Sequence, residues 1–219
     1  MIKIYTRLLT SILIAIFVYD CAGSPYKKMS IENPEELLSI QDSLLGGEKN
    51  DANILDALVS ANNRVAEKHM EQGDYISAAD HFKKATELNT SDVVSKYGLL
   101  LADGNVLVKK GNKNGIWDAI EKYSKAATLY PKNGEPFYWM AIAYTKLGDT
   151  DFDLILKSYE KAMSLELENE LRTEAEKKHK HAKERKNKLI RHFIRHSIPH
   201  SNTNQKSILI IKYFIQLVE

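Results

Sequence analysis

Cysteine occurs once in the 219 residues, at Cys21, so no internal disulfide framework can form. Glycine (10) and proline (5) are scarce, which excludes collagen-like and turn-dense architectures and suits long helices. Neither charge sign is in excess. Lys and Arg number 31 against 29 Asp and Glu, a net +2, so net charge carries no nucleic-acid signal. No apolar run reaches the about 20 residues that a transmembrane helix needs. Catalytic signatures are missing too. There is no GxSxG elbow to expose a nucleophile, no GxGxxG or GxxxxGK[ST] loop to cradle a phosphate, and no HExxH. His192 and His196 share a helical face at a usable zinc spacing, but without an adjacent Glu or a second Cys they read as solvated. The sequence therefore predicts no enzyme activity, no catalytic residue, no metal, no cofactor and no small-molecule substrate.

The remainder is 43% hydrophobic and 27% charged, ordinary for a globular chain. Its first 20 residues form a leader. Lys3 and Arg7 precede the apolar stretch 8–19 (LLTSILIAIFVY), the layout of a secretory signal, and the sole cysteine follows directly. This placement resembles a bacterial lipoprotein signal, in which the cysteine is lipidated and becomes the mature N-terminus. Asp20 and Tyr19 stand where that family has small residues, so an ordinary signal or an uncleaved anchor is the alternative. The resemblance implies lipidation at Cys21, export, and a place in the cell envelope. Ala22 after the cysteine points to the periplasmic side of the outer membrane.

Residues 21–32 are polar and read as a linker. Residues 33–57 read as an N-terminal capping region: Asn33 as a helix cap, Pro34 in the first turn, Glu36 three after the cap, and a helix stopped by Gly46 and Gly47. A second helix is expected over about residues 52–72, with Ile54, Leu58, Ala61, Val65 and Ala66 on one face.

An internal repeat follows. Gly73, Asp74, Tyr75, Ala78, Phe82 and Ala85 are echoed by Ala119, Tyr123 and Ala126, then by Gly148, Ile155, Tyr159 and Ala162. The aromatic positions step by 41 and then 36 residues, and the alanines step alike. The pattern resembles the tetratricopeptide repeat (TPR), a 34-residue helix–turn–helix unit, over residues 58–165. Extra residues fall around 105–115 in the second repeat and between Gly148 and Tyr159 in the third. The fold expected is all-α, a helix–turn–helix solenoid of about three TPR-like repeats with a long charged C-terminal helix.

That last helix spans residues 166–196. Nine Lys and Arg against Glu184 give residues 177–195 a charge of +8, which leaves −6 for the rest of the chain. Leu167, Leu171 and Ala175 form a thin apolar stripe able to cap the last repeat. Lys177, Lys178, Lys180, Lys183, Arg185, Lys186, Lys188 and Arg191 are candidates for contact with an anionic surface, the alternative being a solvated helix face. Residues 197–219 form a tail of open character.

The resemblance implies that the first helices of successive repeats line a groove for a peptide or helix of a partner protein. Counted along those helices, its residues are Asn63, Glu67, Met70, Tyr97, Leu101, Tyr138, Ile142 and Lys146, the alternative being that some are core. The expected function is a non-catalytic scaffold or adaptor at the envelope. Its partners are another protein and, through the lipid anchor, a membrane, with no nucleic acid. The alternative is an accessory subunit of an envelope enzyme, assembly or secretion complex, with its repeats permanently packed.

Overall fold

The computed structural model describes residues 25–46, 51–148 and 151–197. Among them are ten α-helices and no strand, so the chain is an all-α helical-repeat protein. The helices are α1 Pro25–Glu32, α2 Pro34–Ser39, α3 Gln41–Leu45, α4 Ala52–Glu71, α5 Tyr75–Leu88, α6 Val93–Lys110, α7 Lys113–Leu129, α8 Glu135–Leu147, α9 Phe152–Ser164 and α10 Asn169–Ser197. Cys21, the leader and residues 198–219 lie outside the described residues, as does the side chain of His196. Among the described residues no helix is long and apolar enough to cross a membrane. The chain divides into two compact units. One is Met1–Lys110 with Thr128–Tyr130, and the other is Gly111–Ala127 with Pro131–Glu219.

The first unit is built on α4. Asp51 caps it by accepting a hydrogen bond from the Asn53 N–H at 2.9 Å. Leu58, Ala61 and Ala66, on the expected face, are fully buried. The turn to α5 uses Gly73 at φ 71°, a left-handed conformation that glycine adopts without strain, and Asp74 caps α5 through the Ser77 N–H. The repeat pattern is borne by buried side chains: Ala78, Phe82 and Ala85 of α5 are at most 3% exposed. Phe82 lies against the backbone of α6 at Gly98, where an added Cβ would collide with ring atoms Cε1 and Cζ.

Two expectations for this unit are corrected. Residues 25–32 form α1 rather than a linker. Tyr26 and Met29 pack on a core of Leu37, Ala57, Leu58 and Ala61, and Ser30 is buried with its hydroxyl donated to the Lys27 carbonyl. The helix expected after Asn33 is two short pieces broken at Ile40, and the Asn33 side chain makes no cap bond. Ser39 donates instead to the Glu36 carbonyl at 2.7 Å, a local bond that competes with helix propagation.

Two buried polar clusters tie the first unit. Asn63 Nδ2 donates to Asp92 at 3.1 Å, and the Ser95 hydroxyl lies between Asn63 Oδ1, at 2.9 Å, and the Asp92 carboxylate. Burial pushes the Asp92 carboxyl up, but the Ser95 and Asn63 hydrogen bonds outweigh it and hold the group below its ordinary value. In the second cluster, His81 Nδ1 sits 2.9 Å from Asn62 Oδ1 and its ring stacks on His69 at 5.8 Å. Burial, then Lys84 and His69, depress the His81 pKa against Asp80 and Glu35. A histidine whose pKa falls on folding binds a proton more readily in the unfolded chain. Stability is therefore expected to fall as pH drops through the ordinary histidine pKa of about 6.5. Thermal melts followed by circular dichroism from about pH 7 to pH 5 should show that loss, and His81→Gln, which keeps a donor for Asn62, should flatten it.

In the second unit, α7 buries Ile116, Ala119, Ile120, Tyr123 and Ala126. Asn112 opens it by accepting from the Gly115 N–H at 2.7 Å. The residues inserted around 105–115 thus do not form a long loop; α6 and α7 run to Lys110 and from Lys113 with only Gly111 and Asn112 between. In the third repeat α9 starts four residues after Gly148, whereas α5 starts two after Gly73. Ile155, Tyr159 and Ala162 of α9 are all within 1% of complete burial.

Candidate binding site

The site grows from the way α10 seats on the α8–α9 hairpin. Ahead of α8, the Asn133 side chain accepts from the Glu135 N–H and Pro136 occupies the first turn. A short parallel bridge then locks both ends of the hairpin. The Gly134 N–H donates to the Glu166 carbonyl at 2.6 Å, and the Glu166 N–H donates to the Lys132 carbonyl at 2.9 Å. From the first turn of α10, Arg172 donates Nη1 to the Met163 carbonyl at 2.7 Å and Nη2 to the Leu165 carbonyl at 2.9 Å. These carbonyls end α9 and have no intrahelical partner, so the guanidinium caps one helix from another.

Beyond Arg172, Ala175 and Ala182 stand one heptad apart and are at most 4% exposed. Small side chains let α10 approach closely, as the expected apolar stripe implies. At the far end Lys186 Nζ pairs with Asp153 at 2.7 Å and Arg185 lies over the Phe152 ring at 5.6 Å. Between these fixings, α8 and α10 leave a cavity of about 210 Å³. Ile142, Tyr159 and Ala182 line its apolar part, Lys146, Lys178 and Arg185 bring positive charge, and His181 adds an imidazole.

Tyr159 is 1% exposed, and burial pushes its hydroxyl pKa up to about 12, against a hydrogen bond with Thr145. It stays a neutral phenol at any physiological pH. Glu174 lies beside the cavity. Burial raises its carboxyl, but hydrogen bonds from Tyr138 and Lys178 prevail and hold it ionised. Lys178 Nζ is 3.1 Å from that carboxylate. No group of three metal-ligating side chains occurs among the described residues.

The residues expected in a groove separate into three sets. Ile142 and Lys146 open on the cavity. Glu67 is exposed as a residue, though burial of its carboxyl raises its pKa; Met70 and Tyr97 are half-buried, Tyr97 edge-on to Tyr130 at 4.9 Å. Asn63, Leu101 and Tyr138 are 8%, 3% and 2% exposed and belong to the packing. Asn63 serves Asp92 and Ser95, and the Tyr138 ring meets Tyr159 at 6.2 Å.

The basic run separates as well. Lys178, Arg185 and Lys186 lie on the packed face of α10, whereas Lys177, Lys180, Lys183, Lys188 and Arg191 face solvent. Sequence reasoning missed Thr145, Tyr159, His181 and Ala182 as neighbours of one cavity. The heptad spacing from Ala175 to Ala182 is a signal that could have pointed to that face.

No protein-family model matches the chain, and no curated protein matches it. Among solved structures it is similar to MamA, residues 41 to the end, from Desulfovibrio magneticus RS-1. The identity is 20%, the match covers 78% of this chain and 96% of that one, and the TM-score is 0.45.

Proposed function

We propose that the chain is a non-catalytic protein-binding module of the bacterial cell envelope, tethered by lipid on Cys21, that holds a peptide or helix of a partner. The observation that carries the binding part is the cavity between α8 and α10. It combines an apolar wall with converging cations on two well-fixed helices, the mixture that recognises a polypeptide segment. The envelope part is supported by Lys3, Arg7, the apolar stretch 8–19 and the cysteine after it. A tether of this kind raises the effective concentration of partners on the same surface.

The test is the intact mass of the protein from the membrane fraction of its host, followed by photocrosslinking in the envelope. A mass starting at Cys21 plus acyl chains is expected, and so is a discrete crosslinked partner from a probe at residue 142. A full-length, unmodified mass would remove the lipid anchor. The absence of any partner at 142, with partners captured elsewhere, would remove the binding site.

The accessory-subunit reading draws on a different observation. Ile76, Val93 and Val94 of the first unit are 64%, 41% and 42% exposed, apolar side chains that a permanent partner would cover. A complex that survives high salt during purification is the outcome expected from that reading.

A further inference from the structure

We infer that the cavity between α8 and α10 takes an acidic segment of the partner protein, with one Asp or Glu side chain set among apolar neighbours. This deepens, and rests on, the reading of the chain as a protein-binding module. The volume argues for a side chain as occupant. About 210 Å³ is below the roughly 300–1,000 Å³ usual for small-molecule sites and suits one residue of a larger ligand.

The charge argues for an acid. Lys146, Lys178, His181 and Arg185 line the cavity and no carboxylate does. Glu174 pairs with Lys178, and it also accepts from Tyr138. Among the described residues Lys146 and His181 take part in no ion pair. Arg185 adds a third positive charge to the lining, its guanidinium lying over the Phe152 ring at 5.6 Å. The +8 carried by residues 177–195 draws acidic segments toward this side of the unit.

The apolar part argues for the flanking residues. Ile142, Ala182 and the ring of Tyr159 offer no free charge, and the Thr145 hydroxyl is already donated to the Ala141 carbonyl at 2.8 Å. A bare anion would leave the half-buried Ile142 side chain uncovered. A carboxylate on an apolar stretch satisfies both halves of the cavity.

The full chain is titrated with a short fluorescent peptide, its C-terminus amidated, in which one Glu is flanked by Leu and Phe. Saturable binding is expected. Lys146→Gln combined with Arg185→Gln should weaken it by about tenfold or more, because two charge-assisted contacts are lost. Lys157→Gln removes the same charge from the exposed side of α9 and should change affinity by less than about twofold. Exchanging the peptide Glu for Gln should abolish binding at comparable concentrations. Lys146→Gln alone, at an exposed position, keeps the test valid should the double variant fold poorly.

Three results would overturn the inference: unchanged affinity in the cavity variants, an equal loss in Lys157→Gln, or binding only when the peptide ends in a free carboxylate. A loss seen on phosphatidylglycerol vesicles and not on the peptide would assign the cavity to lipid instead. Envelope crosslinking separates this inference from the broader reading. A partner retained by Lys146→Gln leaves the module standing without the acidic site. Peptide binding that fails in the variants, with no partner in the envelope, does the reverse.

Discussion

Tyr159→Ala is expected to destabilise the second unit by about 3–5 kcal/mol, the range for removing a fully buried aromatic side chain. The ring is 1% exposed and meets Tyr138 edge to face at 6.2 Å. It sits in the core with Ile155, Ala162, Ala175 and Ala182, where α8, α9 and α10 all contribute. The alanines of this core, Ala162, Ala175 and Ala182, cannot extend into the space that the ring would leave. Tyr159→Phe keeps the ring and loses only the hydroxyl's bond to Thr145, so about 1 kcal/mol is expected. The measurement is convenient. The chain's two tryptophans, Trp117 and Trp139, both lie in the second unit, so fluorescence-detected denaturation reads that unit alone. A Tyr159→Ala midpoint equal to that of Tyr159→Phe would mean that the ring contributes little to the packing.

Gly134→Ala is expected to cost about 3 kcal/mol, at the upper end for overpacking, although alanine is the better helix former. Gly134 has an ordinary φ of −80°, so backbone strain is not the reason. A Cβ there would collide with the Ala162 carbonyl oxygen, and backbone cannot rotate away as a side chain can. Yielding would pull the α8 start from the α9 end, break the 2.6 Å bond to Glu166, and displace the carbonyls that Arg172 caps. Gly73→Ala is the contrast. Nothing lies within 4 Å of its Cβ, and its φ of 71° is the only penalty, about 1–2 kcal/mol. Equal losses from the two substitutions, both read by denaturation followed by circular dichroism, which reports on both units, would remove close approach as the cause at Gly134.

The repeat was legible because its residues do the same physical task each time. Ala78, Phe82 and Ala85 face inward, and so do Ile155, Tyr159 and Ala162, because helical spacing sets them on one stripe whatever the partner helix is. The candidate site was legible only in half. Ile142 and Lys146 on α8, and Lys178 and Arg185 on α10, were singled out for separate roles, but their meeting depends on where α10 docks. That is set by Arg172 reaching carbonyls seven and nine residues back, a contact no periodicity announces. The same docking buries Tyr138, which its position along α8 marks as groove-facing. At the other end, residues 25–32 look like linker because they are polar, yet Tyr26 and Met29 suffice to pin them.

The Asn63–Asp92–Ser95 cluster bears on how such a chain can be rearranged. By position in the repeat, Asn63 corresponds to Tyr138, so the two hairpins are alike in outline and different at this point. A chimera with the α8–α9 hairpin copied into the place of α4–α5 would set a tyrosine before Asp92 and take away the amide that serves it. The half-buried carboxylate would then keep only the Ser95 contacts and lose part of what offsets its desolvation. The hairpins are thus not interchangeable tiles. Each carries a key cut for its neighbour, and a longer array made by duplication would need that key recut first.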